Sequence, residues 1–229
     1  MTASQFLDVD PRWREAHPGA SVGFIAVRKV ANPASNDRLN DVASALEIDV
    51  RSRLGTADRE AIRAIPPLPA YAAYYKRWGQ RYHVAMQLES VAQKGKALPR
   101  VAALVEAMFI AELRNLLLTA GHDLDALELP VPLTVGSGES FIAPNGQETS
   151  VKPGDMFIAD AQGRVLSAII TGPSDVARIG PETTAALFYA YAPPGVTPAL
   201  IDTHLDEIEG NVKLIAPEAE VVAREIVTA

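Results

Sequence analysis

The chain has 229 residues, 48% of them hydrophobic, a formal net charge of −7 and no cysteine. That is enough for an ordinary buried core in one large domain or two small ones, and a single domain over residues 1–229 is expected. Disulfides, thiol nucleophiles and cysteine-ligated zinc are excluded, and no apolar run approaches the roughly 20 residues that span a bilayer.

In chain order, the N-terminal MTASQFLDVDPRWREAHPG has neither the basic nor the apolar part of a leader peptide, so a cytoplasmic location is expected. SVGFIAVRKV, residues 21–30, is rich in β-branched and aromatic residues and predicts a strand. Leu39, Val42, Leu46, Val50 and Leu54 then recur at three- and four-residue steps along one helical face, which Gly55 ends. A short helix is expected after Thr56, whose hydroxyl can cap it. Pro66, Pro67 and Pro69 punctuate the chain beyond that helix.

Tyr71, Tyr74, Tyr75 and Trp78 fall at helical spacing, a stripe that suits either a core or the stacking of nucleobases. Further helices are expected over residues 82–93 and from Pro99 onward. The second carries Val101, Leu104, Val105, Met108, Leu113, Leu116 and Leu117 on a wide apolar face. Residues 51–114 hold eleven Lys or Arg against five acids, a local +6 that leaves −13 for the remainder. Such a basic middle suits a phosphate-facing surface or solvated helix faces, whereas the overall charge argues against bulk gripping of nucleic acid.

From about residue 130 the pattern changes to short β-branched runs separated by turn residues. Strands are expected near 131–135, 140–143, 155–160, 164–170 and 185–192, forming a mostly antiparallel meander. A helix from Thr197 to Glu209 comes next, and VKLIA suggests a last strand. Helices first and sheet later predicts an α+β fold.

Candidate chemistry is sparse. The four histidines, His17, His83, His122 and His204, show no metal-ligand spacing, and neither a G-x-S-x-G elbow nor a Walker lysine occurs, so no metal or cofactor is expected. Polar residues concentrate where turns converge. In TAGHDLD, His122 can exchange a proton near neutral pH, while Asp123 either orients it or caps the next turn. Asp160 suits the AQGR hairpin turn. Asp175, closing Thr171-Gly172-Pro173-Ser174-Asp175, is the carboxylate least easily explained structurally.

The ordered series HPGASVGFIAVRKVAN, YAAYYKRWG, KALPRVAALVEA, HDLDALELPVPL, GSGESFIAPNGQ, KPGDMFIAD and IGPETTAALF resembles the B3/B4 domain, the tRNA-editing module of the phenylalanyl-tRNA synthetase beta subunit. The shared pattern covers about residues 17–192, with 193–229 as a C-terminal helical extension.

The resemblance implies helices on a mostly antiparallel sheet and a cleft that admits the aminoacyl end of a tRNA and hydrolyses the wrong ester, without ligase activity of its own. It implies tRNA, aminoacyl-tRNA or an amino-acid-like small molecule as partner. His122 and Asp175 would be catalytic, and Asp123, Asp160, Thr171, Gly172, Pro173, Glu182 and Thr183 would bind substrate. A non-catalytic module for RNA, a free amino acid or a protein is the competing expectation. The chain departs from the family at VEAMFIAE, where Glu106, Phe109 and Glu112 replace aspartate, asparagine and serine, and at Ala120, which stands at the pocket-histidine position.

Overall fold

A computed structural model describes residues 5–229; residues 1–4, part of the N-terminal stretch that lacks leader character, lie outside it. The fold is α+β with mostly antiparallel pairing. In place of a single meander, the strands form three sheets. β2 (Ser21–Arg28), β3 (Leu118–Asp123), β10 (Ala185–Ala192) and β11 (Glu220–Thr228) build a four-stranded sheet in the order β11-β2-β10-β3. A five-stranded sheet joins β1 (Leu7–Val9), β4 (Val131–Val135), β7 (Met156–Ala159), β8 (Val165–Ala168) and β9 (Gly172–Pro173), and its β1–β4 pair is parallel. β5 (Ser140–Ile142) and β6 (Glu148–Ser150) form a separate hairpin.

All eight residues of β10 are buried, because the strand is central within its sheet and covered on both faces. Side chains alternate along a strand. Phe24, Tyr189, Tyr191 and His122 therefore face the five-stranded sheet, where Phe6 packs on Phe24 and Ser167 meets both Tyr191 and His122. The opposite face carries Gly23, Thr119 and Gly121 and receives α7 (Pro198–Ile215). A Cβ on Gly23 would stand 2.3 Å from Ile201, so glycine is what lets the helix seat there. α6 (Ala103–Asn115) packs beside α7 and against β3, with α2 (Asp37–Leu54) and α5 (His83–Lys94) outside it.

Several expectations need correction. The short helix α3 (Arg59–Arg63) is capped by Asp58, whose carboxylate accepts from the Ala61 amide, so Thr56 is not its cap. α6 starts at Ala103, four residues after Pro99, and leaves Val101 exposed. Its first amides are satisfied from outside the helix, by Asn32 Oδ1 at Leu104 and the Pro33 carbonyl at Ala103. VKLIA is the last turn of α7, and the final strand is β11, which pairs with β2. The aromatic stripe belongs to α4 (Leu68–Lys76), where Tyr71, Tyr74 and Tyr75 are buried; Tyr71 stacks on Tyr82 at 4.1 Å, which removes these rings from base stacking.

Candidate functional site

α6 runs directly into β3 through Leu116, which takes a left-handed conformation at φ 58°. β3 is an edge of its sheet, and on its open side lies a cavity of about 750 Å³ bounded by α6, β3 and the 173–181 loop. Val105, Met108 and Phe109 of α6 and Val101 just before it supply one wall, and Ile179 and Pro181 line the cavity from the 173–181 loop. The polar groups on its surface include Glu112, Thr119, His122 and Arg178.

His122 is buried, with Nε2 at 3.2 Å from Ser167 Oγ, which lies 2.7 Å from the Tyr191 hydroxyl. Burial, which disfavours the charged ring, holds its pKa down at about 4. The imidazole is therefore neutral at pH 7 and a weak proton acceptor. Glu112 is its counterpart. Buried in α6, it accepts from the Thr119 amide at 2.7 Å, and burial pushes its pKa up to about 8 despite that bond. At neutral pH it is chiefly a protonated carboxyl, able to donate as well as accept. Behind Thr119, His204 Nε2 sits 2.7 Å from the hydroxyl. In a mainly apolar lining, Glu112, Thr119 and His122 thus supply polar groups that are chiefly uncharged at neutral pH, and the guanidinium of Arg178 is exposed to solvent.

The other anticipated residues separate into groups. Pro173 lines the cavity together with Ser174, which is pinned by its hydroxyl to the Val165 carbonyl. Gly172 pairs with Ala168 and takes φ 81°, the left-handed region that glycine tolerates. Asp175 does not line the cavity. Its amide is held by the Ile142 carbonyl and its carboxylate is exposed beside Arg178 at 3.4 Å, so it does not face His122 across a shared hollow. Asp160 is spent in its turn, accepting from the Gln162 and Arg164 amides and the Arg164 side chain, and is wholly buried.

Asp123 caps the 3-10 turn at Leu124–Ala126 by accepting from the Asp125 amide, and also accepts from the Thr183 hydroxyl at 2.6 Å. Both are structural partners, outside the cavity wall. Glu182 is exposed, and the Thr171 hydroxyl is buried without a partner, away from the cavity lining.

Sequence reasoning marked Phe109 and Glu112 as departures from the family pattern without making them site residues, and it missed Thr119, Gly121 and the rest of the Val105–Phe109 wall. One signal was legible: a carboxylate inside the apolar run AMFIAEL, where an unpaired charge is costly and a neutral acid or a ligand is the remedy. The basic stretch is compensated in part. Arg51 and Arg100 contact Glu47, Arg100 contacts Glu106, Arg53 meets Asp49, Arg63 meets Glu89 and Arg114 meets Glu207. Five of the eleven cations are thus compensated, while Arg59, Lys76, Arg77, Arg81, Lys94 and Lys96 have no carboxylate within 4 Å among the described residues.

Among the described residues no group of three or more His, Asp or Glu is placed to hold a metal ion, and no helix is long and apolar enough to cross a membrane. No protein-family model matches the chain, and no curated protein matches it. Among solved structures, an N-terminal fragment of the phenylalanyl-tRNA synthetase beta-subunit from Pyrococcus horikoshii is similar, with a TM-score of 0.48 and 10% identity. The alignment covers 98% of this chain and 51% of that one, so the chain spans about half the length of the fragment. A likeness of this size assigns neither family nor activity.

Proposed function

We propose that the protein binds an α-amino acid or an aminoacyl compound in the cavity between α6 and β3. The supporting observation is a mainly apolar lining that carries a few polar groups uncharged at neutral pH. Val105, Met108, Phe109 and Ile179 suit an apolar side chain, while protonated Glu112 with Thr119 on one face of β3, and neutral His122 on the other, supply polar partners. A site built to hydrogen-bond one polar group discriminates strongly against analogues that lack it.

Binding is favoured over proton-transfer catalysis, because His122 at about 4 is a poor general base and Asp175 lies outside the cavity wall. The aminoacyl end of a tRNA, hydrolysed in trans, is the enzymatic form of the same proposal. It requires water positioned by His122 or Glu112.

Calorimetric titration with a panel of L-amino acids and their methyl esters tests the proposal, with ester cleavage followed by proton release. Wild type is expected to bind at least one apolar member, and Val105→Trp, which puts an indole into the cavity from the α6 wall, to weaken it at least tenfold. No binding by any member, or equal binding by Val105→Trp, contradicts the proposal. Equal rates of aminoacyl-tRNA deacylation by wild type and His122→Ala remove the hydrolytic form alone.

A further inference from the structure

Backbone groups on an antiparallel strand alternate in direction. A residue either exchanges both its N–H and its C=O with one neighbour or points both the other way. β3 pairs with β10 on one side only. The amides of Thr119 and Asp123 bond away from β10, to Glu112 Oε1 at 2.7 Å and to the Ala177 carbonyl at 2.8 Å. Gly121 lies midway between them in the same phase, so its N–H and C=O also point away from β10. It lines the cavity, is only partly buried and has no backbone partner there among the described residues.

The edge is therefore open for a single residue. Above and below, a side chain and a loop carbonyl already occupy the positions an added strand would use, so a long peptide cannot extend along β3. Glycine also fits the close packing here: a Cβ would stand 2.9 Å from Ile179 Cδ1 and 3.0 Å from the Phe188 ring, so a larger residue would have to displace those side chains.

Resting on the reading that the cavity holds an amino-acid-like molecule, we infer that Gly121 binds one extended aminoacyl residue as a one-residue strand. Its amide donates to the ligand's carbonyl and its carbonyl accepts from the ligand's nitrogen. The side chain of that residue then lies along Val105 and Phe109. An N-acylated amino-acid amide and an amino-acid ester both present this donor and acceptor, and they differ in what continues beyond the nitrogen and the carbonyl.

The probes are N-acetyl-L-leucine N-methylamide, its analogue methylated on the leucine nitrogen, which lacks the donor, and L-leucine methyl ester. Affinities are measured by calorimetry on wild type and Val105→Trp, and amide hydrogen exchange by NMR. Without ligand, the Gly121 amide is expected to exchange faster than those of Thr119 and Asp123. The parent amide is expected to bind, to slow Gly121 exchange at least tenfold, and to bind at least tenfold more tightly than the methylated analogue. Binding of the ester with the same protection of Gly121 assigns the site to aminoacyl esters; protection by the acylated amide alone assigns it to peptide-type ligands.

Equal affinity for the parent and methylated amides, or a Gly121 amide unaffected by a bound probe that Val105→Trp excludes, overturns the inference and leaves the cavity reading standing. Absence of binding by all three probes counts against both.

Discussion

Glu112 shows how one side chain ties the cavity to stability. Its carboxyl is held at about 8 in the folded protein against an ordinary 4.5, so between those values the unfolded chain releases a proton that the folded chain keeps. Its contribution to stability therefore falls as pH rises from 4.5 to 8 and is constant outside that window. His17, His122 and His204 act in the opposite sense. Burial lowers all three, to about 4, 4 and 3, so each costs stability as pH falls below 6.5. Above 6.5 the Glu112 effect is separable from theirs. Glu112→Gln retains an acceptor for the Thr119 amide; its melting temperature is expected to exceed wild type most at pH 8 and above, and to converge with it near pH 4.5. A constant difference across that range contradicts the assignment of a buried neutral carboxyl. The pattern of residues could reveal an acid in an apolar run, but not whether it meets a base, a ligand or nothing, since that depends on chain segments far away in sequence.

At the level of elements, helical periodicity and turn residues located α2, α4, α5 and most of the strands, because these signals are local. β3 was not legible: LTAGHD is short, contains a glycine and is separated from a helix by only two residues, so its strand character comes from pairing with β10 rather than from propensity. VKLIA misled for the converse reason. Its β-branched residues favour a strand in isolation, yet Val212 is buried in the last turns of α7.

The seating of α7 on β2 supplies a direct test of this packing. Gly23→Ala places a methyl group 2.3 Å from Ile201 Cγ2, an overpacking expected to cost about 1–3 kcal/mol in chemical denaturation. Ile201→Ala in that background should recover part of the loss. An additive double variant would show that the two sites are not in contact.

Across the whole molecule, the C-terminal segment is bound into the sheet: β11 pairs with β2 along eight residues of that strand, and α7 covers the adjoining face. We propose that residues 5–229 therefore fold as one unit. A chain ending at Ala192 is expected to lose cooperative unfolding, because β2 would become an unprotected edge and Gly23 would face water. Cooperative melting of that shortened chain would separate residues 193–229 as an appendage.

Charge acts at the same scale. With a net charge of −7 and Arg51, Arg53, Arg63, Arg100 and Arg114, five of the eleven cations of residues 51–114, each beside a carboxylate, sequence-independent retention on RNA is expected to be weak at about 0.15 M salt. Tight binding with a steep salt dependence would reveal a phosphate surface that these pairs do not suggest.

The most direct measurement is a crystal structure of the protein soaked with N-acetyl-L-leucine N-methylamide. Density along β3, with the leucine side chain against Val105 and Phe109 and polar contacts to Gly121 and His122, is the result expected. Density lodged elsewhere, or an unfilled cavity at a concentration where calorimetry records saturation, would contradict it.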